Sequence, residues 1–146
     1  MKKTIQRLKN ERGLTLVELL AVIVILAIIA VIAFVFIGGI IENSKKDAHI
    51  ANAQQIISAA KLHEATGGEK DFTGEGMSVA KLIEEKYLDE VLDPWTKAEY
   101  QGLKNAKVTK ENNKFKLSNF NASSGDCNIT ADELAINKGD RGDLCK

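Results

Sequence analysis

The stretch that decides the fold is residues 12–41, which read RGLTLVELLAVIVILAIIAVIAFVFIGGII. From Leu19 to Ile41 the chain has 23 successive residues without a charged or hydrogen-bonding side chain, more than the roughly 20 that a helix needs to cross a bilayer. The run is apolar on every side of such a helix, which favours lipid over a groove on a soluble protein. We therefore predict a membrane-spanning helix in preference to a buried core helix.

The charges that precede the run predict its orientation. Residues 1–13 carry five basic side chains and one acidic side chain, and a basic flank of this kind stays in the cytoplasm. The chain after Ile41 is therefore expected outside the cytoplasm. A cleaved secretory signal peptide is the competing interpretation, but the run is longer than the apolar region of such peptides. Lys45 and Lys46 also follow it closely, where a small-x-small cleavage site would lie.

Glu18 is the only charged residue between Arg12 and Glu42. A carboxylate costs about 2.5–3.5 kcal/mol at the bilayer centre on insertion scales, and less toward the interface. Something should offset this cost, which leaves two interpretations. Either Glu18 pairs with a positive charge inside the apolar layer, or it sits at the cytoplasmic interface among lipid headgroups.

These residues resemble the N-terminus of the type IV pilin superfamily, which includes type IV pilins and the pseudopilins of competence and type II secretion. The match is a basic leader that ends in Gly13, the segment Leu-Thr-Leu-Val-Glu-Leu-Leu at 14–20, and the apolar helix. Further along the chain, Asp93-Pro94-Trp95 resembles the first turn into the sheet of some major pseudopilins and Gram-positive pilins, so a Gram-positive-like type IV pilin is favoured. The resemblance implies that a prepilin peptidase cuts between Gly13 and Leu14 on the cytoplasmic side and N-methylates Leu14.

The resemblance also supplies Glu18 with a partner, the new α-amino group of Leu14 on a neighbouring subunit. Leu14 and Glu18 are four residues apart, about 6 Å of helical rise. Two charges that are each costly in hydrocarbon attract strongly there, because a low dielectric magnifies their interaction. Such a pair would fix the register between subunits more than it would add net stability.

The function implied is that of a structural subunit, a helical homopolymer built through the apolar helix. The implied partners are other copies of the chain, prepilin peptidase, the assembly platform with its ATPase, and the membrane. One alternative is a pseudopilin of a competence (DNA-uptake) or type II secretion system. The alternative from another class is a monomeric membrane-anchored binding domain. No catalytic constellation occurs in the sequence, so we do not expect an enzyme.

The predicted organisation has three parts: a cleaved leader at 1–13, a transmembrane and filament-core helix at 14–41, and an extracytoplasmic globular domain at 42–146. Before assembly the chain is expected to span the cytoplasmic membrane once, with its N-terminus in the cytoplasm, and afterwards to be part of an extracellular filament. Val35 occupies a position where many members of the superfamily have proline. Gly38-Gly39 is then the candidate weak point of the helix, since each Gly costs about 1 kcal/mol relative to Ala. The alternative is that these glycines permit close helix–helix approach.

Beyond Glu42 an apolar stripe at spacings of three and four predicts that the helix continues to about Ala65 and packs one face on a sheet. The stripe consists of Ile50, Ala53, Ile56, Ile57, Ala59, Ala60 and Leu62. The fold class predicted is α+β, a long N-terminal helix packed on a small antiparallel sheet. Residues 71–76 are expected to form a polar loop.

Three further elements are predicted in the domain. Ser78 is expected to cap a short helix with Val79, Leu82, Ile83 and Tyr87 turned inward. Trp95, in Asp93-Pro94-Trp95, is expected to be a core anchor, with ligand stacking as the alternative. Residues 98–120 are expected to form antiparallel strands with a hairpin turn at Asn112-Asn113, because asparagine tolerates positive φ.

Lysines are expected to line the outer face of this hairpin: Lys104, Lys107, Lys110, Lys114 and Lys116. Lysines on exposed strands commonly keep sheet edges soluble, and we favour this interpretation. Nonspecific contact with the DNA backbone is the alternative.

The two cysteines, Cys127 and Cys145, lie near the C-terminus. Because the domain is expected outside the cytoplasm, a disulfide is favoured over free thiols, and many pilins close their C-terminal segment in this way. The alternation of Asp126, Asn128, Thr130 and Asp132 hints at calcium. It fails the EF-hand spacing, because Ala131 and Asn137 replace the required Gly and Glu. We therefore expect a polar turn and no cofactor, with calcium as the alternative.

Overall fold

The computed structural model describes residues 2–125 and 127–145, with side chains described from Thr15 onward except that of Glu69. Its contacts divide the chain into two compact units, Met1–Ile41 and Glu42–Lys146. The first helix, α1, extends over Lys2–His63 and contributes residues to both units. It ends in a wide π-type turn, Glu64–Gly68, in which Gly67 has a φ of 111°. A short 3₁₀ helix, Glu69–Phe72, follows.

A four-stranded antiparallel sheet forms the other side of the domain, in the strand order β1-β2-β3-β4. Its strands are β1 (Met77–Ser78), β2 (Lys107–Glu111), β3 (Lys114–Asn121) and β4 (Asn128–Asp132). Three short helices complete the domain: α2 (Val79–Glu84), α3 (Glu133–Lys138) and α4 (Arg141–Leu144). The predicted α+β class, a long N-terminal helix packed on an antiparallel sheet, is confirmed.

The domain half of α1 buries its apolar stripe, as the three-and-four spacing predicted. Ile50, Ala53, Ile57 and Ala60 are buried in the core, together with Ile56 and Ala59. Leu62 was wrongly included in this stripe, since it is 55% exposed. It follows Ala60 by two residues, which turns its side chain about 200° around the helix and away from the sheet.

The hairpin of β2 and β3 forms where the sequence predicted it. Asn112 and Asn113 have φ angles of 50° and 63°, the left-handed pair that a tight hairpin turn requires. Val108, Phe115 and Leu117 point into the core. Because strand side chains alternate between faces, Lys107, Lys114 and Lys116 point to the opposite face.

Lys110 corrects the predicted lysine stripe. It pairs with Phe115 across the hairpin, so it shares the inward face with Val108. Its ammonium lies 5.7 Å from the centre of the Phe115 ring and forms an ion pair with Glu64 at the end of α1. Lys104 precedes β2 in a turn. The outer face of the hairpin therefore carries a smaller positive patch than expected, formed by Lys107, Lys114 and Lys116 with Glu111 beside them.

The helix after β1 matches its prediction. The Ser78 side chain accepts a hydrogen bond from the Lys81 backbone N–H and caps α2. Val79 and Leu82 are buried, and Ile83 and Tyr87 pack against the core while partly exposed.

Two neighbouring segments differ from prediction. Residues 71–76 are not wholly a polar loop, because Phe72 is fully buried and meets Phe115 edge-on at 5.3 Å between ring centres. Residues 98–105 form turns instead of a strand, with one bridge between Leu92 and Glu99.

Candidate processing and assembly segment

The membrane half of α1 presents apolar side chains to the outside over its whole length. Every described side chain from Thr15 to Ile41 is exposed. The exposed fraction is 56% for Ile28 and 84% for Phe34, values normally seen for polar residues on a soluble protein. This helix is long and apolar enough to cross a membrane, and nothing in the described chain buries it. Its surface must therefore be covered by lipid or by another protein.

The predicted processing and assembly residues lie at the start of this surface. Gly13 and Leu14 belong to the helical backbone of α1, but their side chains are outside the described residues. Glu18 is exposed, one turn along the helix from Leu14. Its neighbours Val17 and Leu19 are 64% and 67% exposed. The carboxylate is therefore presented on an apolar surface, where it is open to a charge outside its own chain.

A second polar cluster, which the sequence did not reveal, is buried in the domain around His49. The imidazole is fully buried and stacks on Phe120, with 4.5 Å between ring centres. Its Nε2 lies 3.3 Å from the Phe120 carbonyl oxygen, and its Nδ1 lies 2.7 Å from the Tyr100 hydroxyl. A carbonyl only accepts, so Nε2 carries the proton and Nδ1 accepts from Tyr100. Asn52 in turn donates to the Tyr100 oxygen at 3.0 Å.

The hydrogen bonds of this cluster stabilise the folded domain. Burial lowers the pKa of His49 to about 4, and burial raises the pKa of the Tyr100 hydroxyl well above its usual range. Both groups are therefore neutral at ordinary pH, and both are satisfied by partners inside the protein. No group in the cluster is free to act on a substrate.

Asp93 stabilises the Asp93-Pro94-Trp95 element through hydrogen bonds with the backbone. It is fully buried, and its carboxylate accepts from the Trp95 backbone N–H at 2.8 Å and from the Ser123 backbone N–H at 2.7 Å. Burial acts to raise the pKa of Asp93, but these hydrogen bonds outweigh it and leave the pKa below its usual value. Trp95 is partly buried against the core, edge-on to His49, and its indole N–H donates to Glu42 at 3.1 Å.

The second histidine, His63, is the last residue of α1 and is buried. His63 Nε2 bonds to Asp71 at 2.9 Å, and its hydrogen bond lowers the pKa of that carboxylate. Nδ1 lies 3.4 Å from Glu85 but lacks hydrogen-bond geometry. The ring lies directly over Gly68, where an added Cβ would come within 2.1 Å of Nε2. Glycine is therefore required at this position by close approach.

The C-terminal tail is fastened to the domain by a disulfide and by polar contacts with α1. Cys127 and Cys145 are bonded to each other, as the sequence predicted. The Arg141 guanidinium forms two hydrogen bonds with the Asp47 carboxylate, one of them at 3.0 Å. Gln54 donates to the Ile136 carbonyl at 3.0 Å, and Lys61 pairs with Glu133.

The calcium alternative has not been tested by these contacts. Asp126 lies outside the described residues. Asn128 and Asp132 lie at opposite ends of β4, and the Asp132 side chain accepts from the Ala135 backbone N–H at 2.9 Å to cap α3. Within the described part of the chain, no group of three or more His, Cys, Asp or Glu residues is arranged to hold a metal ion.

Comparison with known families gives one match. A model described as the prokaryotic N-terminal methylation motif matches residues 8–34, a range that contains Gly13, Leu14 and Glu18. Neither the comparison with curated proteins nor that with solved structures gives a match. The matched motif points to a structural subunit and implies processing by prepilin peptidase. Residues 8–34 therefore match a prokaryotic N-terminal methylation motif, which supports the resemblance to the prepilin-type N-terminus of type IV pilins and pseudopilins.

Proposed function

We propose that the chain is the structural subunit of a type IV pilus-like filament. The observation that carries this proposal is the uncovered apolar surface of residues 15–41, interrupted by one carboxylate, Glu18. Burial of apolar surface stabilises by roughly 25 cal/mol per Å². The membrane covers this surface before assembly, and the same surfaces of neighbouring copies cover it in the filament.

Cleavage between Gly13 and Leu14 is the step that makes assembly possible. It removes the basic leader, which would otherwise hold the N-terminus in the cytoplasm. It also creates an α-amino group at the edge of the apolar surface. N-methylation retains the positive charge of that amine.

Glu18 then supplies the matching charge. In a filament core the carboxylate and the amine of a neighbouring copy would both be removed from water, at a cost of several kcal/mol for each ion. Their mutual attraction repays this cost only in a correct arrangement, so wrongly docked subunits are rejected. We propose that Glu18 selects the register of the incoming subunit in this way.

The test has a chemical part and an assembly part. Mass spectrometry of assembled material should give a mature N-terminus at Leu14 that carries one methyl group. Glu18→Gln keeps the shape of the side chain and removes its charge, and it should leave membrane insertion intact while strongly reducing incorporation into filaments. Glu111→Gln is the matched control, because Glu111 is an exposed carboxylate at the end of β2.

Two results would contradict the proposal. An intact leader in assembled filaments excludes prepilin processing. Normal incorporation of the Glu18→Gln chain excludes charge pairing as the register device. If instead the wild-type chain stays monomeric in the membrane after processing, the anchored binding domain replaces the filament subunit.

Electron microscopy of a deletion strain distinguishes a pilus from a pseudopilus. The proposal expects long surface filaments that vanish on deletion and return with the wild-type gene. Loss of DNA uptake or of secretion without any visible surface filament would instead assign the chain to a pseudopilus.

A further inference from the structure

Two asparagines flank the loop that joins β3 and β4, and they have no role in the filament assembly proposed above. The chain has ten asparagines, and two of them are followed at the second position by Ser or Thr. The two segments are Asn121-Ala122-Ser123 and Asn128-Ile129-Thr130. This pattern is the acceptor for N-linked glycans in exported proteins. Because so short a pattern recurs by chance, its structural position has to decide its meaning.

The fold brings the two asparagines together. Asn121 and Asn128 are directly paired across the antiparallel strands, an arrangement that places Cβ atoms about 5 Å apart. Both side chains are exposed, whereas the neighbouring Phe120 and Ile129 are buried. The only two acceptor patterns in the sequence thus form one site on the solvent face of the domain.

The pattern also requires a hydroxyl, which Thr130 supplies; its oxygen accepts a hydrogen bond from the Asn119 backbone N–H at 3.2 Å, and a hydroxyl can donate its hydrogen at the same time. Thr130 lies two residues further along β4, so its side chain is on the same face as Asn128, and it is exposed. β4 is the last strand in the sheet order, so its outer edge has no strand partner in the described sheet. The helices α3 and α4 contact β4, so the access of an enzyme to this acceptor rests on the solvent exposure of Asn128 and Thr130.

The surroundings of Asn121 suit a carbohydrate. A polar groove of about 620 Å³ lies beside it, and its side chains offer amide donors and acceptors for sugar hydroxyl groups. The residues that line this groove are Gln101, Gly102, Asn105, Lys107, Asn119 and Asn121.

We propose that the Asn121–Asn128 pair is an N-glycosylation site with Asn128 as the principal acceptor. The inference rests on the proposed function, because the domain has to be delivered outside the cytoplasm. The donor class is a lipid-linked oligosaccharide, used by a membrane-bound oligosaccharyltransferase. The Asn128 Nδ2 forms a bond to the sugar C1 as the C1–oxygen bond to the lipid phosphate breaks. The phosphate leaves with the electron pair, and a base of the transferase takes the amide proton.

The short separation of the two asparagines limits how much can be attached. A glycan on one of them occupies the space in front of the other, so we expect one glycan per chain.

The test is mass spectrometry of the full chain purified from its own organism. After reduction, trypsin releases both asparagines in one peptide, residues 117–138, because no Lys or Arg lies between Lys116 and Lys138. We expect most of this peptide to carry one glycan, and fragmentation should assign it mainly to Asn128. Thr130→Val should abolish occupancy of Asn128 while the asparagine itself remains. Combined with Ser123→Ala, it should remove the glycan from the peptide altogether.

Asn137→Gln is the matched control, since Asn137 is exposed, lies in the same peptide and has no acceptor pattern. It should leave the glycan unchanged. The N-terminal peptide of the same sample reports leader processing separately. An unmodified peptide 117–138 in chains with a mature Leu14 overturns the glycan and leaves the filament proposal standing. A glycan that persists in the Thr130→Val, Ser123→Ala chain also overturns it. A glycan in a sample whose chains all retain the leader, assembled ones included, supports this inference and contradicts the proposed function.

Discussion

In residues 15–41 of α1 every described side chain is exposed, whereas in residues 42–63 of the same helix the apolar side chains are mostly buried against the sheet. The first half is apolar on every side, and no described part of the chain buries it. The second half has one apolar face and completes its packing inside the domain. The helix α1 therefore has one segment whose apolar surface stays exposed and another whose apolar face is buried in the core of the domain.

This difference teaches where a substitution acts. In the second half, the sequence is constrained by packing, and changes should alter the free energy of unfolding of the domain. In the first half no packing within the described chain constrains the sequence, and on the proposed function changes should alter insertion or assembly while the domain stays folded.

The largest expected effect comes from truncating an isoleucine in each half. Ile56 is fully buried and Ile28 is 56% exposed. Ile56→Ala leaves a cavity and should lower the free energy of unfolding by about 2–5 kcal/mol. Ile28→Ala should leave it unchanged. The measurement is denaturant unfolding of the full chain in detergent micelles, followed by Trp95 fluorescence. Equal losses in the two variants would remove the distinction between the halves.

Removal of the disulfide should have the next largest effect. Cys127 and Cys145 close a loop of 18 residues in sequence separation, for which the loop-entropy model gives about 3 kcal/mol. The double variant Cys127→Ala, Cys145→Ala should lose about this much stability by denaturant unfolding and should retain its membrane insertion. A double variant as stable as the wild type would show that the polar contacts of the tail are sufficient.

The lowered pKa of His49 predicts that the free energy of unfolding of the domain depends on pH. Its pKa is lowered from 6.5 to about 4 in the folded protein, so the folded state favours the neutral ring. The resulting stability is complete above about pH 6.5 and is lost as the pH falls toward 4. The full difference corresponds to about 3 kcal/mol. Unfolding free energies measured between pH 7 and pH 4.5 should show the fall.

The matched variant for this prediction is His49→Phe, which retains an aromatic ring against Phe120. Its stability should change less over the same pH interval than that of the wild type, even though its absolute stability is lower. An identical slope in both proteins would assign the pH dependence to carboxylates instead of His49.

The smallest expected effect tests the glycines of the first half. α1 is helical through Gly38 and Gly39, and a Cβ added at either position would meet nothing within 4 Å. Gly38→Ala and Gly39→Ala should each stabilise the helix by about 1 kcal/mol. Hydrogen exchange in micelles should slow around these residues. Reduced filament yield in the double variant would show that assembly needs local unwinding of the helix here. An unchanged exchange rate would show that the two glycines do not weaken the helix.

The elements that the sequence predicted are those set by local periodicity. The apolar run to Ile41 and the three-and-four stripe from Ile50 to Ala60 require no knowledge of the rest of the chain. Asn112-Asn113 and Ser78 act through their own backbone and side-chain preferences, so their turn and cap were also predictable.

The features that the sequence did not predict depend on partners distant in the chain. His49 is buried because Tyr100 and Phe120 satisfy its nitrogens, and nothing near His49 in sequence shows this. Lys110 has the same parity as Val108 and faces inward, because Glu64 at the helix end offers it a partner. β4 was missed because it is a short strand placed after a disulfide-bonded turn.

The fastening of the C-terminal tail has a mechanical consequence. The disulfide joins Cys145, which follows α4, to Cys127, which precedes β4. In the proposed filament a tensile force would enter the domain through α1, where Arg141 bonds to Asp47. Residues 141–145 are thus attached both to α1 and, covalently, to the residue before β4. Under such a force, these two attachments would oppose the unfolding of the sheet from β4.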